Sequence, residues 1–269
     1  PAARSFDQGG CGSCWAMATS KVLQLHAEIY NPNASRTFSP QELVSCVPNP
    51  HQCGGQGGCD GSTVELALDW ALNKGLAEEG ETPYQGADLR CKKQVSKADG
   101  LMQLSGNFED LTGVGVHAAL PDAPGTAFGM YGWERLQENG YDALLRALTE
   151  RGPVGVSAVA NSWSSYSGGV FDGCKDSWVI DHAVVLLGYG QDEKTGALFY
   201  LIQNSWGSFW GEGGRIRILR RADDEKHCGV DRQPEVGTGC KGGPKEVKVC
   251  GGCGILYDNA VPHFRSLGS

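Results

Sequence analysis

Helix-like patterns of apolar and polar residues dominate the first third of the chain. The stretch that begins at Cys14 runs to residue 30 without glycine or proline and carries Val22 and Leu23 for packing. Two later stretches, Ser39-Pro-Gln-Glu and Ser62-Thr-Val-Glu, open with capping boxes, and each box predicts the start of a helix. The predicted helices cover residues 14–30, 39–46, 62–75 and 142–150.

Beyond Gly152-Pro153 the patterns become those of strands. Arg215-Ile-Arg-Ile alternates polar and apolar residues, which predicts a strand with one wet and one buried face. The predicted strands cover residues 154–160, 183–190, 198–203 and 215–219. Helices followed by strands predict an α+β chain of two subdomains, and we expect a functional site in the cleft between them.

Three stretches fit neither pattern. Residues 49–58 form a glycine-rich loop, and residues 229–252 predict an extra loop that carries cysteines. Residues 113–133 are punctuated by glycine and proline, which predicts an insertion on the β half.

The composition favours a globular protein that binds neither nucleic acid nor membranes. The net charge is −8, and both nucleic acid and anionic lipid demand a basic surface. No apolar run approaches the roughly 18 residues that suggest a membrane span.

The eleven cysteines favour an oxidising compartment. An odd total fits one free, reactive thiol and five disulfides, whereas reduced thiols or a zinc module in a cytosolic protein is the alternative. The one sequon, Asn33-Ala-Ser, is weakly consistent with a secretory route.

The candidate chemistry lies in three separated blocks. Cys14 opens the first predicted helix, Asp181-His182 precedes a strong strand, and Asn204-Ser-Trp206 follows another. Cysteine, histidine and asparagine are the parts of a thiol nucleophile, its base and the group that orients the base. A helix N-terminus and a facing imidazolium both favour the thiolate, so we expect the pKa of Cys14 to be lowered.

These blocks resemble the papain-like cysteine protease family, in its cathepsin L-like branch. The resemblance rests on Gln8-Gly-Gly-Cys-Gly-Ser-Cys14-Trp and on Asn204-Ser-Trp-Gly, and it extends to about Pro262. It implies a papain-like two-domain fold with an active-site cleft between a helical left domain and a β-barrel-like, antiparallel right domain. We place these at residues 1–108 and 109–269, with the C-terminal segment crossing back to the left domain.

The resemblance implies a cysteine endopeptidase that works through an acyl-enzyme thioester, without cofactor or metal. Cys14 would attack the peptide carbonyl and His182 would act as its base. Asn204 would orient that ring under the cover of Trp206. Gln8 and the backbone N–H of Cys14 would hold the oxyanion.

The resemblance also implies a substrate-binding set. Gly61-Ser62 would bind substrate backbone, although Gly57-Gly58 is a competing alignment. Asp258 at the base of the second specificity pocket would favour a basic side chain. The full set comprises Gly61, Ser62, Thr63, Val64, Ser157, Ile180, Asp181, Ala183 and Asp258.

Three disulfides follow from the same resemblance. They join Cys11 to Cys59, Cys46 to Cys91, and Cys174 to Cys253. Cys228 is a rival partner for Cys174, and the remaining pairs stay open.

The implied partners are peptide substrates, an inhibitory propeptide and cystatin-like inhibitors, with no nucleic acid and no membrane. The chain is expected to be a monomer, lysosomal, vacuolar or secreted. The lead-in before Gln8 is short and no signal peptide is evident, which predicts a mature or trimmed form. No His-His loop of the carboxydipeptidase type is present, which favours an endopeptidase.

Three other readings compete with a protease. Cys11-Gly-Ser-Cys14 could exchange disulfides, but thioredoxin-type sites carry their tryptophan before the motif, and Trp15 follows it here. A zinc module would need Cys250 and Cys253, which are far from the first pair in sequence. A non-catalytic scaffold homologue would be expected to carry serine at position 14.

Overall fold

The structure is a computed structural model that describes residues 7–93, 115–120, 122–174 and 177–267. Its helices are α1 (Cys14–Tyr30), α2 (Pro40–Cys46), α3 (Val64–Lys74) and α4 (Tyr141–Glu150). Its strands are β1 (Gly115–Ala118), β2 (Met130–Arg135), β3 (Val154–Ala158), β4 (Val170–Phe171), β5 (His182–Gln191), β6 (Leu198–Gln203), β7 (Arg215–Leu219), β8 (Cys228–Asp231), β9 (Val247–Cys250) and β10 (Asn259–Phe264). The helices and the later strands lie close to the predicted positions, and the α+β class is confirmed.

The helix starts follow their caps. The Ser39 hydroxyl accepts a hydrogen bond from the Glu42 backbone N–H, so α2 begins where its capping box predicts. Helix α3 begins one residue later than its box predicts, because its N-cap is Thr63 and not Ser62. The Thr63 hydroxyl accepts the backbone N–H of Leu66. The helix ends at Lys74, and the residue that caps it is Gly75, whose φ of 69° suits glycine.

One large, mostly antiparallel sheet organises the second half of the chain. Its strand order is β1-β2-β10-β3-β5-β6-β7-β4, and only the β4–β7 pair is parallel among the described strands. Strand β10 lies between β2 and β3 and is therefore an interior strand of the sheet.

Two stretches predicted as irregular contain paired strands. Described residues of the 113–133 stretch supply β1 and most of β2, which pair with each other, and β2 also pairs with β10. Within residues 229–252, β9 pairs with β8 as a hairpin. Glycine and proline obscured these strands because the segments are only four to six residues long.

The core has two parts, and β10 contributes to both. One part gathers around α1 and α3 and includes Ala260 and Phe264, whereas the other lies under the sheet and α4 and includes Val261. The Phe264 ring lies 5.6 Å from His26 on α1. The C-terminal strand therefore ties the helical half to the sheet. The predicted boundary at residues 108 and 109 lies outside the described residues.

Five disulfides join ten of the eleven cysteines, all of which are described. The pairs are Cys11–Cys59, Cys46–Cys91, Cys53–Cys240, Cys174–Cys253 and Cys228–Cys250. The first, second and fourth are the pairs implied by the resemblance. The rival pairing of Cys174 with Cys228 is wrong, because Cys228 faces Cys250 across the β8–β9 hairpin. None of the described helices combines the length and apolarity needed to cross a membrane.

Truncation of Phe264 tests whether β10 ties the two halves together. Phe264 is 5% exposed, so Phe264→Ala is expected to lower the free energy of unfolding by about 3–5 kcal/mol. Phe209 is fully exposed, and Phe209→Ala is the matched control. Urea denaturation measures both, and equal effects would contradict the role given to β10.

Candidate active site

The nucleophile candidate lies where the first helix meets the sheet. Cys14 is the first residue of α1, is half-buried, and is the one cysteine without a disulfide partner. Backbone N–H groups of Ala183, Trp15 and Cys14 itself lie within hydrogen-bonding reach of its sulfur. Ala183 directly follows His182, so the sulfur lies close to the backbone at the start of β5, the strand that carries the candidate base.

A hydrogen bond at Nε2 fixes the orientation of the His182 imidazole. Its Nε2 lies 2.7 Å from Asn204 Oδ1, which also accepts the N–H of Ser205. Indole rings surround the imidazole, since Trp206 lies 5.0 Å and Trp163 lies 5.9 Å from its centroid. With Nε2 donating to Asn204, Nδ1 remains as the nitrogen available to the sulfur.

Gln8 is held between the two halves of the molecule. Its Nε2 donates to Cys11 O at 3.1 Å, and its Oε1 accepts the Ser205 hydroxyl at 2.6 Å. Its backbone N–H donates to Ser205 O at 2.9 Å. The second hydrogen of the Gln8 amide therefore has a fixed direction.

Burial shifts both titrating groups away from their charged forms. It raises the pKa of the Cys14 thiol, although nearby backbone N–H groups oppose the shift. It lowers the pKa of His182, against the opposing effects of Asn204 and Asp181. The sequence-based expectation of a lowered thiol pKa therefore does not hold for the sulfur alone, because desolvation exceeds the effect of the helix N-terminus.

Most residues of the implied substrate-binding set come together. Ser157 on β3 pairs with Ala183 on β5, and a side-chain carbon on Gly155 would lie 2.9 Å from Val64 of α3. Gly61 is partly buried and Asp181 is exposed. The remaining members are buried: Ser62, Thr63, Val64, Ser157, Ile180, Ala183 and Asp258.

The two candidate glycine pairs have different neighbours. A side chain on Gly58 would collide with Asp88, one on Gly57 would meet Asn49, and one on Gly61 would collide with the backbone of Gly54. All of these contacts lie within the helical half, so both alignments stay open.

Asp258 is not a free acid. Its Oδ1 lies 3.2 Å from the Arg135 guanidinium, and its Oδ2 accepts the Ser157 hydroxyl at 2.6 Å. Glu65 neighbours Asp258, and its Oε1 lies 3.6 Å from the same Arg135 Nε that Asp258 contacts. Arg135 therefore already neutralises the charge that was expected to attract a basic side chain, a pairing that sequence could not show because the two residues are distant in the chain.

Several residues around the site were missed from sequence. Trp163 packs on His182, Ser205 holds Gln8, and the Tyr84 hydroxyl donates to Gln8 O at 2.9 Å. Ser205 lies inside the Asn204-Ser-Trp motif, which could have identified it. Trp163 and Tyr84 reach the site only through the fold.

The chain matches a family model described as "Papain family cysteine protease" over residues 3–119 and 122–238. A KDEL-tailed cysteine endopeptidase of Arabidopsis thaliana is 32% identical over 228 residues, which cover 83% of this chain and 53% of the relative. The chain spans about half the length of the curated relatives it matches.

Solved structures of the same kind share the fold. The bromelain protease of Ananas comosus, in complex with the E64 inhibitor, has a TM-score of 0.66 at 25% identity and covers 97% of this chain and 94% of its own. A ragweed pollen allergen cysteine protease, Amb a 11 in its proform, has a TM-score of 0.65 at 26% identity and covers 97% of this chain and 62% of its own.

The buried acid Glu65 predicts a pH-dependent stability. Burial and the neighbouring Asp258 raise its pKa to about 8, so between about 4.5 and 8 the folded state holds a proton that the unfolded state has released. Stability is therefore highest below about pH 4.5, falls by about 1.4 kcal/mol per pH unit as pH rises towards 8, and levels off above that pH.

Glu65→Gln removes this titration while keeping the side-chain shape. Urea denaturation from pH 5 to 8 is expected to give a flatter stability curve for this variant than for the wild type. Glu246→Gln, at a side chain that is 67% exposed, is the control. Parallel curves for wild type and Glu65→Gln would contradict the shift.

Proposed function

Because the chain belongs to the papain family of cysteine proteases, we propose that it is a cysteine endopeptidase whose catalytic residues are Cys14, His182, Asn204 and Gln8. The observation that carries the proposal is the meeting of α1 and β5. This contact brings an unpaired sulfur to the start of the strand that carries His182, whose Nε2 is hydrogen-bonded to Asn204. The arrangement supports the roles of a thiol nucleophile, its base and the group that orients the base.

The first half-reaction forms the acyl-enzyme. The proton of Cys14 moves to His182, and the sulfur attacks the peptide carbonyl carbon. The amide of Gln8 and the backbone N–H of Cys14 hold the resulting oxyanion, each donor contributing about 10²–10³ in rate. His182 then protonates the leaving amine, and the C–N bond breaks to leave a thioester.

The second half-reaction releases the acid. A water molecule gives a proton to His182 and attacks the thioester carbonyl, after which the sulfur leaves as thiolate. Asn204 keeps Nδ1 directed at the sulfur throughout, because its oxygen binds Nε2. Trp206 and Trp163 exclude water from the far side of the ring.

The surrounding proposals follow from the family. Substrates are peptides that bind along Gly61, Ser62 and Asp181, and a propeptide inhibits the zymogen, as supported by relatives solved in their proforms. We assign the chain as a monomer that cystatin-like inhibitors bind, in a lysosome, a vacuole or outside the cell. Its five disulfides support that location.

The other readings have less support. Disulfide exchange needs Cys11 and Cys14 as a pair, whereas Cys11 is bonded to Cys59. A zinc module needs free thiolates, whereas Cys250 and Cys253 are both in disulfides. The complete set of nucleophile, base and orienting amide disfavours a scaffold without activity.

An epoxysuccinyl inhibitor tests the assignment of the nucleophile. Mass spectrometry of the labelled wild type is expected to place the adduct on Cys14, while Cys14→Ser remains unlabelled and is inactive on peptide substrates. Cys14→Ser should unfold at the same urea concentration as the wild type, which controls for misfolding. An adduct on another cysteine, or no adduct and no activity in folded wild type, would favour the scaffold reading.

A further inference from the structure

A short segment of the chain connects the two walls of the cleft. Residues 237–240, here called the strap, follow β8 on the sheet half, yet Cys240 is bonded to Cys53 on the helical half. The Gly54 N–H donates to Gly239 O at 2.8 Å, and the Lys241 N–H donates to His51 O at 3.0 Å. The strap is thus anchored to the helical wall by one covalent bond and two backbone hydrogen bonds.

The opposite side of the strap lies against the sheet wall. A side-chain carbon on Gly237 would lie 2.3 Å from Ile180 O, so only glycine fits there. The same residue borders the helical wall, because a side-chain carbon on Gly54 would lie 2.7 Å from Gly237 O and 2.9 Å from Ser62 O. The contacts therefore run from Ile180 through Gly237 and Gly54 to Ser62.

Hydrogen bonds fix the segment that directly precedes the strap. Asp231 at the end of β8 is fully buried, and its carboxylate accepts the backbone N–H groups of Ile180 and Gln233. Pro234 O accepts the N–H groups of Thr238 and Gly239, which closes a tight turn just before the crossing. The approach to the crossing is thus fixed to the same wall that the strap meets.

The cleft residues that lie nearest the strap are buried, whereas Cys14 is more exposed. Ser62 is 5% exposed and Ile180 is 0% exposed, whereas Asp181 is exposed and Cys14 is half-buried. The buried hydroxyls of Ser62 and Thr238 have no hydrogen-bond partner. The nucleophile is therefore accessible, while the groups that would bind the second substrate residue on the acyl side are covered.

We propose that the strap closes the acyl side of the cleft beyond the first substrate residue, an inference that rests on the proposed function. With Cys53–Cys240 intact and the strap in place, only substrates with one residue before the scissile bond fit without moving the strap. Cleavage inside a longer chain requires the strap to leave Ile180. The strap then determines how many residues a substrate can carry before the scissile bond. The side chains of a specificity pocket do not.

Two variants release the strap in different ways. Cys53→Ser/Cys240→Ser removes its anchor on the helical wall, and Gly237→Val places a side chain against Ile180 O. Cys46→Ser/Cys91→Ser is the matched disulfide control, and Gly80→Val, at a position with open space around it, is the matched glycine control. Urea denaturation confirms that each variant is folded.

Turnover of two fluorogenic amides measures the effect. One is the amide of a single arginine with a free amino group, and the other is an N-capped Phe-Arg amide. The measured quantity is the ratio of kcat/KM for the capped substrate to kcat/KM for the single-residue substrate. Compared with the wild type, this ratio is expected to be about tenfold higher or more in both strap variants and unchanged in the controls. An equal ratio in wild type and strap variants would overturn the proposal.

Amide hydrogen exchange gives a readout that does not depend on catalysis. Exchange over residues 60–64 and 177–182 is expected to increase in both strap variants and in neither control. Unchanged exchange in both would overturn the strap proposal. Protein that hydrolyses neither substrate, and whose Cys14 fails to react with iodoacetamide, would overturn the proposed function, while the exchange data would still decide the strap.

Discussion

The central constraint of this molecule is that neither charge at the site is stable alone. Burial raises the pKa of the Cys14 thiol and lowers that of His182, so a lone thiolate and a lone imidazolium are both disfavoured. Transfer of the thiol proton to the ring creates both charges together, and each then stabilises the other in a medium of low dielectric. The reactive state is therefore a property of the pair.

The rest of the fold fixes the position of Cys14 relative to His182. The proposed nucleophile, Cys14, belongs to the helical half and the proposed base, His182, to the sheet half, so small relative movements would separate them. The Cys11–Cys59 disulfide fixes the chain just before α1. The Gln8 side chain accepts a hydrogen bond from Ser205, which lies on the sheet half. On the outer side, β10 carries Phe264 from the sheet into the packing around α1. Stability and catalysis thus depend on the same interface.

Much of this arrangement could be predicted from local sequence. Helix α1, strands β6 and β7, and the blocks around Cys14, His182 and Asn204 carry their own periodic or motif signals. Strands β1, β2, β8 and β9 could not be found, because they are only four to six residues long and lie in segments punctuated by glycine and proline. The pairing of Asp258 with Arg135 and the contact of Gly237 with Ile180 are likewise long-range, and local sequence could not indicate either one.

The rate of Cys14 alkylation by iodoacetamide, followed from pH 4 to 10, tests the coupled pair most directly. Because burial lowers the pKa of His182, the wild-type rate is expected to rise below the ordinary imidazole pKa of about 6.5 and to be substantial at neutral pH. In His182→Ala the thiol stands alone in a buried site, and its rate should rise only above the ordinary thiol pKa of about 8.5. Identical profiles for the two proteins would contradict the account.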